Sequence, residues 1–366
     1  MSGIWGNNVK VSIFGESHGH GVGIVIDGLP GGISLDMDYI RYEMDRRKPG
    51  NSKLTTSRKE ADEVKILSGY FNGKTTGTPL CAFIGNTNTR SIDYSKTKDL
   101  MRPGHADYTG YMKYNKSNDY RGGGHFSGRL TAPLVFAGSI AKQILEKNNI
   151  LIGSHIRSIY TQEDETFDHV NCSEELVRNL RQEEFPLIDK SKINSMKDII
   201  LRAKEEGNSV GGTVETIILN VETGIGSPFF SSIESRIAGM MFSIPAIKGI
   251  EFGEGFNMSK MKGNESNDEY CIKDGEIRTY TNNNGGILGG ISNGMPIVFK
   301  CAIKPTPSIS MKQRTINIES KEETSLSIEG RHDPCIVPRA IPVIEAGVAL
   351  TLLDMIIEKK GLEWIS

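Results

Sequence analysis

Glycine constrains this chain more than any other residue, because it recurs in short runs beside histidine and arginine. The runs are FGESHGHG at 14–21, RPGH at 102–105, RGGGHFSGR at 121–129 and GRH at 330–332. Forty-one of 366 residues are glycine, about 11% where ~7% is usual. With 14 prolines and no three-residue period, the excess excludes a collagen-like rod. It implies tight turns and places where backbone must closely approach another group.

Length and charge narrow the rest. Against roughly 150 residues per domain, 366 residues allow one large domain or two ordinary ones. No linker rich in Pro, Gly or Ser divides the chain, so a single α+β unit over 1–366 is expected, its motifs lying between about 10 and 350. A formal charge of −2 gives no global attraction to nucleic acid or to an anionic membrane. The cysteines, Cys81, Cys172, Cys271, Cys301 and Cys335, form no CxxC pair, so neither a disulfide framework nor a thiolate zinc site is encoded. MSGIWGNNVKVSIFG lacks the pattern of a secretory signal, and the apolar run VALTLLDMII is short for a membrane span. A soluble cytoplasmic protein is expected.

Periodicity places the elements. NVKVSIFGES and GVGIVIDGLP read as strands, as does TVETIILNV. LDMDYIRYEMDRR reads as a helix with acids at its start. A second helix is expected after Thr131 as N-cap, with Pro133 in its first turn and Asn148 and Asn149 at its end. Ser173 and Ser195 are expected helix caps, FFSSIESRIAGMMFSI a helix stopping before Pro245, and 262–284 a polar surface loop. The last helix is expected from about Val343 to Lys360, closed by Gly361.

Two nucleotide motifs fail on inspection. A phosphate loop ending in Gly73-Lys74-Thr75 needs glycine at 68, where Ser68 stands, so a glycine turn is the better reading. After Gly19 and Gly21 the third glycine of a dinucleotide fingerprint is replaced by Ile24. His18 and His20 form an HxH pair, yet no acidic or Cys partner lies at short spacing, so no metal site is expected.

Chemistry concentrates where arginine, histidine and glycine coincide: 14–21, DRRKPGNSK at 45–53, 102–130 and IEGRHDPC at 328–335, with KPTPS at 304–308. The guanidinium fork suits carboxylate and phosphate. Glycine lets backbone N–H groups reach an anion or a flat ring. A histidine among arginines is a general acid for a phosphorylated substrate. Asp333 beside Arg331 is a carboxylate kept ionised as a base. From the residues alone the chain reads as an enzyme of a small anionic, phosphorylated metabolite. A flavin-free lyase or transferase on similar acids, and a non-catalytic anion- or RNA-binding protein, are the alternatives.

In sequence order the blocks FGESHG, DRRKPG with TTSRKEAD, VKILSGYFNGKTTGTPL, RPGHADYTG, DYRGGGHFSGR, GGILGGISNG, KPTPS and GRHDPC resemble the chorismate synthase family. The resemblance implies a single-domain β-α-β sandwich of the α+β class, assembling as a homotetramer. It implies 1,4-anti-elimination of phosphate from 5-enolpyruvylshikimate 3-phosphate, with reduced FMN required and no net redox change. Carried over residue by residue, it implies His18, His105 and Asp333 as catalytic. Ser17, Arg47, Lys53, Arg102, Arg129 and Arg331 would surround the substrate. The flavin would meet His125, Phe126, Ser127, Pro245, Ala246, Gly289, Lys304, Pro305, Thr306, Pro307, Ser308 and Arg331. In members that reduce their own flavin, NADPH would meet Arg47 and Lys53. Where the family often has arginine, this chain has Lys48 and Lys53; it has His125-Phe126 after the glycines where Arg-Ser is frequent, and Pro245 where asparagine is common.

Overall fold

The structure, a computed structural model, describes residues 3–50, 61–87, 98–328 and 332–365. Lys53 and Arg331 lie outside these residues.

Ten strands form two antiparallel five-stranded sheets. The first holds β1 (Ile4–Trp5), β2 (Lys10–Gly15), β3 (Gly21–Asp27), β4 (Val64–Ser68) and β5 (Leu80–Gly85) in spatial order β1-β2-β3-β5-β4. The second holds β6 (Leu151–Ile159), β7 (Gln162–Glu163), β8 (Gly212–Leu219), β9 (Ile247–Phe252) and β10 (Ile297–Ile303) in order β7-β6-β8-β10-β9. β3 is central and carries buried Val22, Ile24 and Ile26, as its apolar sequence requires.

The principal helices are α1 (Met37–Arg47), α2 (Thr131–Lys147), α3 (Glu174–Gln182), α4 (Ile233–Ser243) and α5 (Val337–Lys360). α2 rests on the first sheet, α5 on the second, and the two helices pack extensively on each other. At their crossing a Cβ on Gly138 would stand 2.2 Å from the Cβ of Ala346, so glycine sets how closely the helices approach. The result is sheet, helices, sheet, the β-α-β sandwich expected. One continuous apolar cluster joins Ile24, Phe136, Ile344, Val214 and Phe299 across these layers. A smaller one, including Val177, Leu180 and Ile217, seals α3 onto the second sheet.

Charges are buried inside the helical layer. Lys142 Nζ lies 2.9 Å from Glu43 and 2.8 Å from Glu345, and Arg46 Nη1 lies 2.9 Å and 2.6 Å from the same two carboxylates. Arg181 closes the group from α3 through Glu146 at 2.7 Å.

Several local expectations are corrected. Thr131 is the first helical residue rather than the cap, and its hydroxyl donates to the Gly128 carbonyl at 2.6 Å. Ser195 lies within the helix Ile193–Glu205 and donates to Lys192 O at 2.9 Å, whereas Ser173 does cap α3. The 262–284 segment contains a hairpin, Tyr270–Lys273 paired with Glu276–Thr279. α5 begins at Val337, six residues earlier than expected: Pro338 occupies its first turn and Pro342 is accommodated inside. VALTLLDMII is therefore part of a 24-residue apolar helix long enough to cross a membrane, but 94% of its most apolar window is inside the fold. Of its two buried acids, Glu345 meets Lys142 and Arg46, and Asp354 accepts from the backbone of Asn7, Asn8 and Val9 and pairs with Arg236. The 67–77 segment forms the glycine turn expected, with Asn72 and Gly73 both left-handed between Tyr70–Phe71 and Lys74–Thr76.

Candidate active site

The turn between β2 and β3 buries Ser17 and His18 and leaves His20 exposed, so the two histidines of the HxH pair do not share a face. The Ser17 N–H donates to Gly124 O at 3.1 Å, which ties this turn to the triple glycine. Gly122, Gly123 and Gly124 all have positive φ (59°, 87° and 53°), a path glycine follows without penalty. A Cβ on Gly122 would stand 2.1 Å from His18 Nδ1 and Cε1, and one on Gly123 would stand 3.0 Å from His105 Cε1. The bare backbone thus runs between the two histidines, touching both.

His105 is held from its other side. Arg102 grips Asp107 through two bonds of 2.7 Å, and His105 Nδ1 lies 2.7 Å from the same carboxylate. Burial pushes the Asp107 carboxyl up, but the bonds from Arg102 and His105 outweigh it and hold it well below the usual carboxylate range. Arg102 Nη2 lies 3.1 Å from the same Nδ1, so that nitrogen faces a donor as well as an acceptor, and Nε2 is the ring nitrogen turned toward Gly123. His332 lies in the same electrostatic field: burial, then Arg102 and His105, lower its pKa, with Asp333 opposing.

Arg47 and Arg129 are both buried and share one carboxylate. Arg47 Nη2 and Arg129 Nη1 each bond Asp62, one to each oxygen. Arg129 also donates to Asn86 Oδ1 at 3.0 Å, and Asn86 donates to the carbonyls of Glu16 and Gly19 on either side of Ser17-His18. On the far side Arg339 donates to Arg47 O at 3.0 Å and pairs with Asp333. A continuous polar chain therefore links Asp333, Arg339, Arg47, Asp62, Arg129, Asn86 and the His18 turn.

The expected flavin residues fall into groups. Lys304 N donates to Ala246 O at 3.0 Å, just beyond Pro245, and Lys304 Nζ donates to Gly104 O, while Pro307 packs against Gly104. The Lys304–Ser308 segment is thereby set beside the Arg102–His105 turn, with Pro305 exposed and Ser308 buried. Ser209 donates to Thr306 O at 2.7 Å, but Thr306 Oγ1 is buried with no hydrogen-bond partner. An orphaned hydroxyl beside a lysine and glycine backbone fits an additional polar group such as a flavin. His125 is exposed and its Nδ1 donates to Gly15 O at 2.9 Å; Phe126 packs on Gly110, and Ser127 caps the turn leading to Arg129. Gly289 stands apart. Its neighbour Gly290 accepts from Ile233 N at the start of α4, whereas Ala246 follows the end of that helix, whose 11 residues span about 16 Å.

Asp62, Asp107, Asn86, Arg339 and His332 join the site without having been singled out from sequence. All but Arg339 and Asn86 lie in the blocks that carried the resemblance, which was the available signal.

Comparison with known proteins is consistent along the whole chain. The family model described as chorismate synthase matches residues 9–357. Chorismate synthase from Methanocaldococcus jannaschii is 47% identical, the match covering 97% of this chain and 96% of the relative. That from Dehalococcoides mccartyi is 45% identical over 97% and 96% of the two chains. A crystal structure of chorismate synthase superposes with a TM-score of 0.78 at 32% identity, covering 99% of this chain and 96% of the other.

Proposed function

The chain belongs to the chorismate synthase family, and from that membership we infer how its own residues carry the reaction. The enzyme is a lyase that eliminates phosphate from 5-enolpyruvylshikimate 3-phosphate to give chorismate, the last step of the shikimate pathway. In the elimination the C–O bond to phosphate breaks and a proton leaves C6, so negative charge gathers on the departing phosphate. Arg47, Arg102 and Arg129, with Lys53 and Arg331, form the anion site, since charge-assisted bonds strengthen as that charge develops. His18 holds a proton against the leaving phosphate, and Ser17 orients it. His105 presents Nε2, its ring held on the Nδ1 side by Asp107 and Arg102. Asp333, anchored by Arg339, is the acceptor on the C6 side.

The cofactor is reduced FMN. The orphaned Thr306 hydroxyl, Lys304, Pro305, Pro307 and Ser308, with Pro245, Ala246, His125, Phe126 and Ser127, are the residues that would hold it. Gly289, at the other end of α4 from Ala246, joins this set on the resemblance, and the homotetramer belongs to the same reading. When bound, reduced FMN supplies electron density while the C–O bond breaks. The continuous apolar core supports one domain, the near-zero charge and core-buried α5 support a cytoplasmic enzyme, and NADPH at Arg47 and Lys53 belongs to the reading only if the enzyme reduces its own flavin.

The observation that carries this reading is the triple glycine passing between His18 and His105. The test is anaerobic phosphate release and chorismate absorbance with reduced FMN, oxidised FMN or none. Turnover with reduced FMN only is expected. Turnover without flavin would favour the flavin-free lyase, and no turnover by folded protein would overturn the substrate assignment.

A further inference from the structure

Arg47 and Arg129 come from distant segments, α1 and the turn before α2, and both side chains are 4% exposed. Two guanidinium groups buried that closely repel unless something lies between them. What lies between them is Asp62, whose side chain has no exposure and which gives one oxygen to each. Asp62 occupies left-handed backbone (φ 49°), a region that costs a non-glycine residue energy and that aspartate tolerates better than most. Burial lowers the Arg47 pKa, and Asp62 is the group that opposes this. On Arg47, Nε is buried without a hydrogen-bond partner, so this fork has a donor that Asp62 does not use.

We propose that Asp62 is a positioning residue of the anion site, clamping Arg47 and Arg129 side by side as one receptor with a spare Arg47 donor for a substrate phosphate or carboxylate. The inference rests on the elimination reading for the identity of the substrate, but not for the binding test. Asp62 does not meet the reacting atoms. It fixes the forks that do, and their spacing selects an anion able to span both.

The experiment titrates inorganic phosphate into wild type and Asp62→Asn by calorimetry, then measures kcat and KM for 5-enolpyruvylshikimate 3-phosphate, with melting temperature as a fold control. Asparagine keeps the shape and one acceptor oxygen but loses the charge. Expected are phosphate binding weaker by about tenfold, the scale of one lost charge-assisted bond, a KM raised in parallel, and kcat much less affected. A merely structural role would lower kcat and thermal stability together and leave that split absent. Unchanged phosphate affinity in folded Asp62→Asn overturns the proposal. Tighter binding overturns it as well, because Asp62 would then be a competitor for the forks. If the asparagine variant does not fold, Asp62→Glu serves: its extra methylene displaces the forks with charge retained, so weaker phosphate binding supports positioning and unchanged binding refutes it. Phosphate binding needs no turnover, so a failed elimination assay with wild type is a separate result.

Discussion

The spacing between His18 and His105 is set by two residues without side chains, Gly122 and Gly123, and a methyl group tests it. Gly122→Ala places a Cβ 2.1 Å from the His18 ring on left-handed backbone, and a misplacement of that size costs kcat/KM about a hundredfold or more. Gly128→Ala, with nothing within 4 Å and ordinary φ, is the matched control and leaves kcat/KM within about twofold. His105→Ala lowers kcat by about a hundredfold, and Asp107→Asn, which loses the carboxylate that holds the His105 ring and Arg102, by about tenfold; steady-state assays of both check the assigned order. The histidines and arginines were legible because their chemistry is conspicuous wherever they stand. Asp62 and Asp107 were not, because an aspartate announces a role only through its partners. Those of Asp62 are 15 and 67 residues away, a distance no local pattern encodes.

Among the elements, α1, α2 and α5 are joined by charges as well as by apolar contacts. Removing Lys142 leaves Glu43 and Glu345 buried with Arg46 alone bridging two carboxylates, so Lys142→Ala destabilises the fold by about 3–5 kcal/mol, measured by urea unfolding. Burial pushes both glutamates up, but Lys142 and Arg46 outweigh it and hold them below the ordinary value. A lowered folded-state pKa stabilises above the unfolded value near 4.5, and that contribution is lost as pH falls further. Wild type therefore loses stability more steeply below pH ~4.5 than Glu345→Gln does, which paired acid-unfolding curves reveal. Strands such as β3 were readable from their apolar β-branched content. The start of α5 was missed because Pro342 resembles a boundary, whereas burial all around compensates for the hydrogen bond it lacks. The Tyr270–Thr279 hairpin was missed because its outward face is solvated and its period-two signal is weak.

Across the whole molecule the two sheets contribute differently. The first carries the His18 turn at the junction of β2 and β3; the second buries His155 on β6, with His169 reaching in from the turn beyond β7. His155 lies between Asp164 at 3.1 Å and Glu215 at 2.9 Å, and His169 reaches Glu215 at 3.1 Å. Carboxylates only accept, so both His155 nitrogens carry protons. Burial alone would lower the His155 pKa, but these partners raise it, while Glu215, pushed up by burial, is brought down to about 2 by the histidines. A raised histidine stabilises fully below the unfolded value near 6.5 and loses that contribution as pH climbs through the folded value. The stability gap between wild type and His155→Gln should therefore narrow as pH rises from about 6 to 9, as denaturant titrations at both ends would show. The sandwich itself was legible only through resemblance, because pairing of strands so far apart is not written in any local window. Its arrangement also has a consequence in time. α5, which fills the space between the sheets, follows every strand of both in the sequence. A ribosome therefore delivers all five strands of the second sheet before the helix that rests on their inner face exists. The nascent protein passes through an interval in which apolar surface of the second sheet stands exposed, the condition under which incomplete chains are most prone to associate.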